Sequence, residues 1–307
     1  MPALETAVRV YHLPFFELLY DAHSVHRARF PAMDIQQCAL LSIKTGGCPE
    51  DCGYCGQSAR YPTGVSREPL LSVFQVRSAA RTAKENGAQR FCMGAAWRQA
   101  PEGEQFERVL QMVREVKNLG MEACVTLGML TPLQAVRLKQ AGLDAYNHNL
   151  DTSRSHYPKI VTTRTYDDRL QTLRNARQAG LTVCSGGILG LGETAQDRCE
   201  MVAELADLDP QPESVPINLL MPIHGTPLEG ASPVDFLDLV RTVATARILM
   251  PRARVRLSAG RIYLSRETQM LAFFAGANSI FIGDRLLTAP NPGIDADRSV
   301  LAAMLPT

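Results

Sequence analysis

The chain has 307 residues, 46% of them hydrophobic, and its 32 basic residues almost balance 31 acidic ones. That length can bury a large core and suits one α/β barrel, while the even charge argues against a polyanion-binding protein such as a nucleic-acid binder. No apolar run reaches membrane-spanning length and the N-terminus lacks a signal-peptide core, so a soluble cytoplasmic chain is expected, whose eight cysteines serve as ligands or core residues rather than disulfides.

In chain order, residues 1–37 are expected to form an N-terminal helical extension. A helix is predicted over 13–30, with Phe15, Phe16, Leu18, Leu19 and Val25 broadly on one face. Residues 39–43 (ALLSI) read as a short buried strand. It leads into KTGGCPEDCGYCGQSARY at 44–61, where Cys48, Cys52 and Cys55 are spaced C-x3-C-x2-C. Glycines in and around this run fit a loop that wraps closely. A pattern then recurs of amphipathic helix, glycine and short apolar strand, with Gly87, Gly120, Gly142, Gly180 and Gly276 at the helix C-caps. Two less regular strands fall at 214–221 (SVPINLLM) and 253–260 (ARVRLSAG). With the first strand this makes eight, and the alternation predicts a closed (β/α)8 barrel of the TIM type, one domain over the whole chain. An open doubly wound sheet is the competing architecture, but GGILGLGET at 186–194 lacks the dinucleotide-binding spacing. The tail at 285–307 is expected to be a loosely packed cover or a mobile end.

Functional groups of such a barrel sit at the C-terminal ends of its strands, which is where Cys48, Cys52 and Cys55 follow the first strand. Three thiolates suit an iron–sulfur cluster, and a 4Fe–4S cluster held by three keeps one iron open for a small molecule. A zinc knuckle would want a closed tetrahedral set, usually from paired C-x2-C arms, and no second arm follows. Cys92, Cys124 and Cys184 lie in the second, third and fifth strands. One strand cysteine is usually a core residue, but three on neighbouring strands converge if they point inward, and with a fourth ligand they could hold a second cluster. Arg254 and Arg256 share a strand face, so periodicity does not choose between them, and arginine is a very unusual metal ligand.

Asn147, Asn149 and Asp151 alternate at the end of the fourth strand, where they could bind a polar ligand or cap the next turn. His148 falls on the other side, as a packing residue. Arg169 opens a helix, Asn218 lies in VPINLL, and Tyr54 precedes the third loop cysteine; each has a plain structural role available as well. Gly186 and Gly187 would admit close approach of a ligand.

The C-x3-C-x2-C run resembles the signature of the radical S-adenosylmethionine superfamily. TGGCPEDCGYCGQSARY, FCMGAAW, YNHNLDTS, TTRTYDDR, VCSGGILGLGET, VPINLL, GTPL, VRLSAGR and AGANSIF, in this order, resemble the biotin synthase family. The resemblance implies that Cys48, Cys52 and Cys55 hold a 4Fe–4S cluster that binds and cleaves S-adenosylmethionine. It implies that Cys92, Cys124, Cys184 and Arg256 hold an auxiliary 2Fe–2S cluster, which resolves the choice against Arg254. Asn149 and Asp151 would contact the ribose and substrate, Arg169 the methionine carboxylate, Asn218 substrate or cofactor, and Tyr54 the adenine. Cys38 and Cys199 match no ligand; Cys199 reads as a packing residue. The implied substrate is dethiobiotin, with sulfide from the auxiliary cluster inserted between two unactivated carbons. The implied partners are a flavoprotein or ferredoxin electron donor, iron–sulfur assembly proteins and a second copy of the chain. Competing readings are another radical enzyme, such as a lipoyl-type sulfur inserter, and an iron–sulfur carrier or redox sensor.

Overall fold

Two helices come first. In the structure, a computed structural model that describes residues 2–305, α1 (Pro2–Tyr11) precedes α2 (Phe15–Arg27). Met1, Pro306 and Thr307, which the expected extension and tail include, lie outside the described residues. The predicted helix over 13–30 corresponds to α2, which buries Leu18, Leu19, Ala22 and His26. Phe16 departs from the expected face and is 80% exposed. The α1 helix buries Ala7 and Tyr11 against Cys199 and Ala203, which gives Cys199 the expected packing role.

The remaining elements alternate. Strands β1 (Gln36–Lys44), β2 (Arg90–Ala95), β3 (Glu122–Thr126) and β4 (Ala145–Asn147) are separated by α3 (Val73–Glu85), α4 (Glu104–Asn118) and α5 (Pro132–Gln140). After α6 (Tyr166–Gln178) come β5 (Thr182–Cys184) and β6 (Gly187–Leu189), then α7 (Ala195–Ala206), β7 (Ser214–Leu219), α8 (Phe236–Leu249), β8 (Arg254–Leu257), α9 (Arg266–Phe274), β9 (Ser279–Phe281) and α10 (Ile294–Ala302). The pairings are parallel, β9 returns to β1, and β5 closes onto β7. The strand segments make eight staves, because β5 and β6 are two parts of one stave that both lie along β7. The break falls at Gly186, where a Cβ would stand 2.0 Å from the Pro216 carbonyl oxygen, and at Gly187, where it would strike the Met201 sulfur. These two glycines therefore serve strand packing; the close approach expected of a ligand is made by protein.

The fold is the expected (β/α)8 barrel. Each of the five expected C-cap glycines has positive φ, from 74° to 102°, a conformation a side chain would resist. Several helices start on a capping box: Ser72 with Gln75, Thr131 with Gln134, Thr165 with Asp168 and Thr194 with Asp197. These boxes fix where each loop ends, and so where the barrel mouth lies.

The tail is more firmly attached than a mobile end. Asp297 on α10 is buried and its Oδ1 accepts from Arg261 Nη2 at 2.6 Å. Asn291 donates to the carbonyls of Phe281 and Gly283 at 3.1 and 2.6 Å. Leu286 to Ala289 thereby come to lie along the mouth. Among the described residues, no helix is long and apolar enough to cross a membrane.

Candidate active site

The loop after β1 is held from both ends. Cys48 N–H donates to the Gln57 carbonyl at 2.9 Å, and Ala59 N–H donates back to the Cys48 carbonyl at 2.7 Å. Gly46 has φ of 66°, and a Cβ there would meet the Ser66 carbonyl oxygen at 2.5 Å, so the chain turns where glycine alone fits. Asp51 pins the loop to the segment before α6. Its carboxylate accepts from the backbone N–H groups of Thr162 and Thr163 at 3.0 and 3.2 Å and from both threonine hydroxyls. Burial raises the Asp51 pKa, but these hydrogen bonds outweigh it and bring the carboxyl down to about 2. Glu50, buried, bonds the Thr163 hydroxyl and faces Arg98 at 3.5 Å. Burial pushes the loop thiols up, Cys55 to about 12, so protons must leave when they take a metal.

Deeper in the barrel, strand register assembles the second set. Cys92 pairs with Cys124 across β2 and β3, and Asn147 with Cys184 across β4 and β5. Asn147 donates its amide to the Cys184 sulfur at 3.2 Å. Two positions separate Arg254 from Arg256, about 6.6 Å of strand rise, and that distance decides their partners. Arg254 reaches Asp34 at 2.9 Å, at the N-terminal end of the barrel. Arg256 is 1% exposed; its Nη1 points to the Cys184 sulfur at 3.7 Å and its Nη2 to the Cys38 sulfur at 3.3 Å. Geometry thus places Arg256, and not Arg254, among the inner thiols.

Both sets line one cavity of about 340 Å³, which also meets Tyr54, Asn149, Asp151, Arg169 and Asn218. That volume lies within the range of small-molecule pockets. Asp151 is the one non-glycine residue among those described with positive φ, at 70°, a strain that favours Asp and marks functional positions. It accepts from the Tyr54 hydroxyl at 2.8 Å and forms a buried ion pair with Arg169. Arg169 also donates to the Tyr157 hydroxyl at 2.7 Å and to the Asn149 carbonyl at 2.6 Å. The Asn218 amide is bonded to backbone on both sides, donating to Gly187 O at 2.9 Å and accepting from Ala259 N–H at 3.1 Å.

Two cavity residues and one buried beside the cavity carry no expected contact with ligand. Arg164, in TTRTYDDR, points Nη2 at the Cys52 sulfur at 3.8 Å and leaves its buried Nε without a hydrogen-bond partner. It stands next to the α6 N-cap, and a reading of helix positions passes over it. His148 lines the cavity, and burial, with Arg169 and Arg164 nearby, lowers its pKa well below that of free histidine. Cys38, fully buried, joins Cys92 and Cys124 in one cluster.

The donor chemistry fits iron–sulfur clusters at both levels, with three cysteines at the mouth and three more beside Arg256 within. Among the described residues, no three His, Cys, Asp or Glu side chains close on a point as ligands of a single ion would. A polynuclear cluster spans more widely spaced sulfurs and needs no such convergence.

A model of the radical SAM superfamily matches residues 42–205, and a model of the Biotin and Thiamin Synthesis associated domain matches residues 216–304. Proteins named biotin synthase from Sorangium cellulosum, Agrobacterium fabrum and Synechococcus sp. are 63%, 60% and 58% identical. Each match covers 97% of this chain, and respectively 85%, 88% and 96% of the relative. The chain belongs to the biotin synthase family. Membership implies a 4Fe–4S cluster and S-adenosylmethionine. Solved structures of methylornithine synthase (19% identical, TM-score 0.80, 97% of this chain and 91% of that one) and of the hydrogenase maturase HydG from Carboxydothermus hydrogenoformans (16%, 0.80, 98% and 74%) share the fold.

Proposed function

We propose that the chain converts dethiobiotin to biotin, inserting one sulfur between two unactivated carbons, and that one observation carries this reading: two thiol sets open onto the same cavity. The C–H bonds concerned are too strong for acid–base catalysis, so bound cofactors carry the chemistry while protein groups bind, orient and exclude water. When bound, the 4Fe–4S cluster and S-adenosylmethionine supply a 5′-deoxyadenosyl radical, and an auxiliary 2Fe–2S cluster supplies sulfide.

Cys48, Cys52 and Cys55 hold the 4Fe–4S cluster. Cys92, Cys124, Cys184 and Arg256 hold the 2Fe–2S cluster. Asp151 and Asn149 receive the ribose and substrate polar groups, with Tyr54 fixing the Asp151 carboxylate and packing on the adenine. Arg169 ties Tyr157, Asn149 and Asp151 together through three of its five donors and keeps two for the methionine carboxylate. Arg164, whose Nε has no hydrogen bond and faces Glu50 at 4.0 Å, adds a second cation for that carboxylate. Asn218 presents its remaining amide valence to the cavity. A ligand held in the one cavity that both sets line has limited motion before hydrogen transfer.

The reaction needs a low-potential electron, supplied by a flavoprotein or ferredoxin type of donor. It consumes cluster sulfide, which iron–sulfur assembly proteins restore. The cytoplasm, where thiols stay reduced, is the assigned compartment, and a homodimer is assigned on family grounds. The N-terminal helices and the tail are read as additions to a single barrel domain over residues 1–307.

The test is anaerobic reconstitution with dethiobiotin, S-adenosylmethionine and a low-potential reductant, with biotin and 5′-deoxyadenosine measured together by mass spectrometry. The expected yield is about two deoxyadenosines per biotin, one for each hydrogen removed. Deoxyadenosine without biotin would refute the substrate. Neither product, with both clusters verified, would refute the reading as a whole.

A further inference from the structure

The inner set contains one thiol more than the proposed ligand set uses. Cys38 stands on β1, two positions from the cavity-lining Leu40 and therefore on the same inward face. It is 0% exposed. It shares an apolar cluster with Ala145, Phe281 and Leu286, but its sulfur also has polar neighbours, which an ordinary core cysteine packed among hydrocarbon lacks. Arg256 Nη2 lies 3.3 Å away, Gln36 Oε1 3.5 Å and Ser279 Oγ 3.7 Å. Arg256 spans two sulfurs, with Nη1 toward Cys184 and Nη2 toward Cys38. Its Nε is held by Ser279 at 2.9 Å, which sets the guanidinium between them.

We propose that Cys38 is a reserve ligand of the inner site, placed to take the coordination position of Arg256 when the guanidine withdraws. The proposal rests on the reading of the inner set as a cluster site. Iron in such clusters favours soft thiolate over a nitrogen donor, and arginine is the weakest member of the set because it is normally protonated. The exchange balances without an electron: the Cys38 S–H bond breaks, its proton passes to the departing guanidine, and a thiolate–iron bond replaces the nitrogen–iron bond. The proton has a direct route, since the two groups already share a hydrogen bond.

The test compares the wild type, Arg256→Met, and Arg256→Met with Cys38→Ser, each reconstituted anaerobically as the full chain. Mössbauer spectroscopy counts iron in 2Fe–2S and 4Fe–4S form separately, and the visible spectrum reports the ligand set. Arg256→Met is expected to keep about two inner irons per chain with a thiolate charge-transfer spectrum altered from the wild type. The double variant is expected to lose inner iron roughly tenfold or more, while the 4Fe–4S cluster stays and shows that the barrel is folded. Equal inner iron in the two variants would overturn the proposal. So would loss of inner iron from Arg256→Met while its 4Fe–4S cluster persists. If the Met variants fail to hold the outer cluster, Arg256→Lys with and without Cys38→Ser gives the same comparison. A wild type without 2Fe–2S iron would instead refute the inner-cluster reading, and the proposal with it.

Discussion

The mouth and the interior of the barrel hold cysteines in different ways. Cys48, Cys52 and Cys55 ride on a loop, fixed by turns, glycines and the Asp51 clamp. Cys92, Cys124 and Cys184 ride on strands, fixed by the hydrogen-bonded register of the sheet. A loop keeps three ligands together by sequence proximity and leaves room above them. Strands bring distant residues together only when the barrel closes, and enclose what they hold. The two mounts match the two proposed tasks, one needing an open face and the other a guarded store.

The largest effect should come from breaking the mouth set. Cys48→Ala should remove the 4Fe–4S cluster and lower S-adenosylmethionine cleavage about a hundredfold or more, read as 5′-deoxyadenosine per hour; cleavage at the parent rate would refute the assignment. Cys184→Ala sharpens the contrast. It should lose the 2Fe–2S spectrum and all biotin formation while keeping the mouth cluster. Normal biotin yield from this variant would remove the sulfur-donor role. A third change acts on the roof: Asp297→Ala leaves Arg261 without its carboxylate and should destabilise the chain by about 3 kcal/mol, seen as a lower denaturant midpoint.

The smallest effect is a matter of pH. The Asp51 carboxyl titrates at about 2 when folded, against about 3.9 in an unfolded chain. Its contribution to stability is therefore complete above pH 4 and disappears as pH falls toward 2. Asp51→Asn should thus be less stable than the parent at neutral pH, and the gap should narrow across that window. A gap independent of pH would show that the clamp works by shape and not by charge.

How much of this was legible depended on how local the signal was. The mouth cysteines lie within eight positions and announce themselves. The capping glycines recur at a fixed place in each unit, so the barrel could be counted from them. The inner thiols are spread over three strands, and spacing left Arg254 and Arg256 equal; a rise of two residues separates a partner of Asp34 from a partner of Cys184. Cys38 lies one residue before the strand predicted at 39–43, so the sequence gives it no inward face, whereas β1 begins at Gln36. The α1 helix falls within the expected helical extension but does not stand out as a separate element, because its apolar stripe of Ala7, Val10 and Tyr11 is short. Arg164 and Arg169 are close in sequence, and only the closed site reveals that Arg169 is tied to its neighbours by hydrogen bonds while Arg164 Nε makes none and faces Glu50.

The single cavity has a consequence for traffic. Mouth thiols and inner thiols line the same space, and the Asp34–Arg254 ion pair lies at the N-terminal end of the barrel. Whatever occupies the middle of such a shaft corks the chamber behind it. On the proposed reading, restocking the inner set and turning over substrate take turns, with product leaving before the next delivery of sulfur.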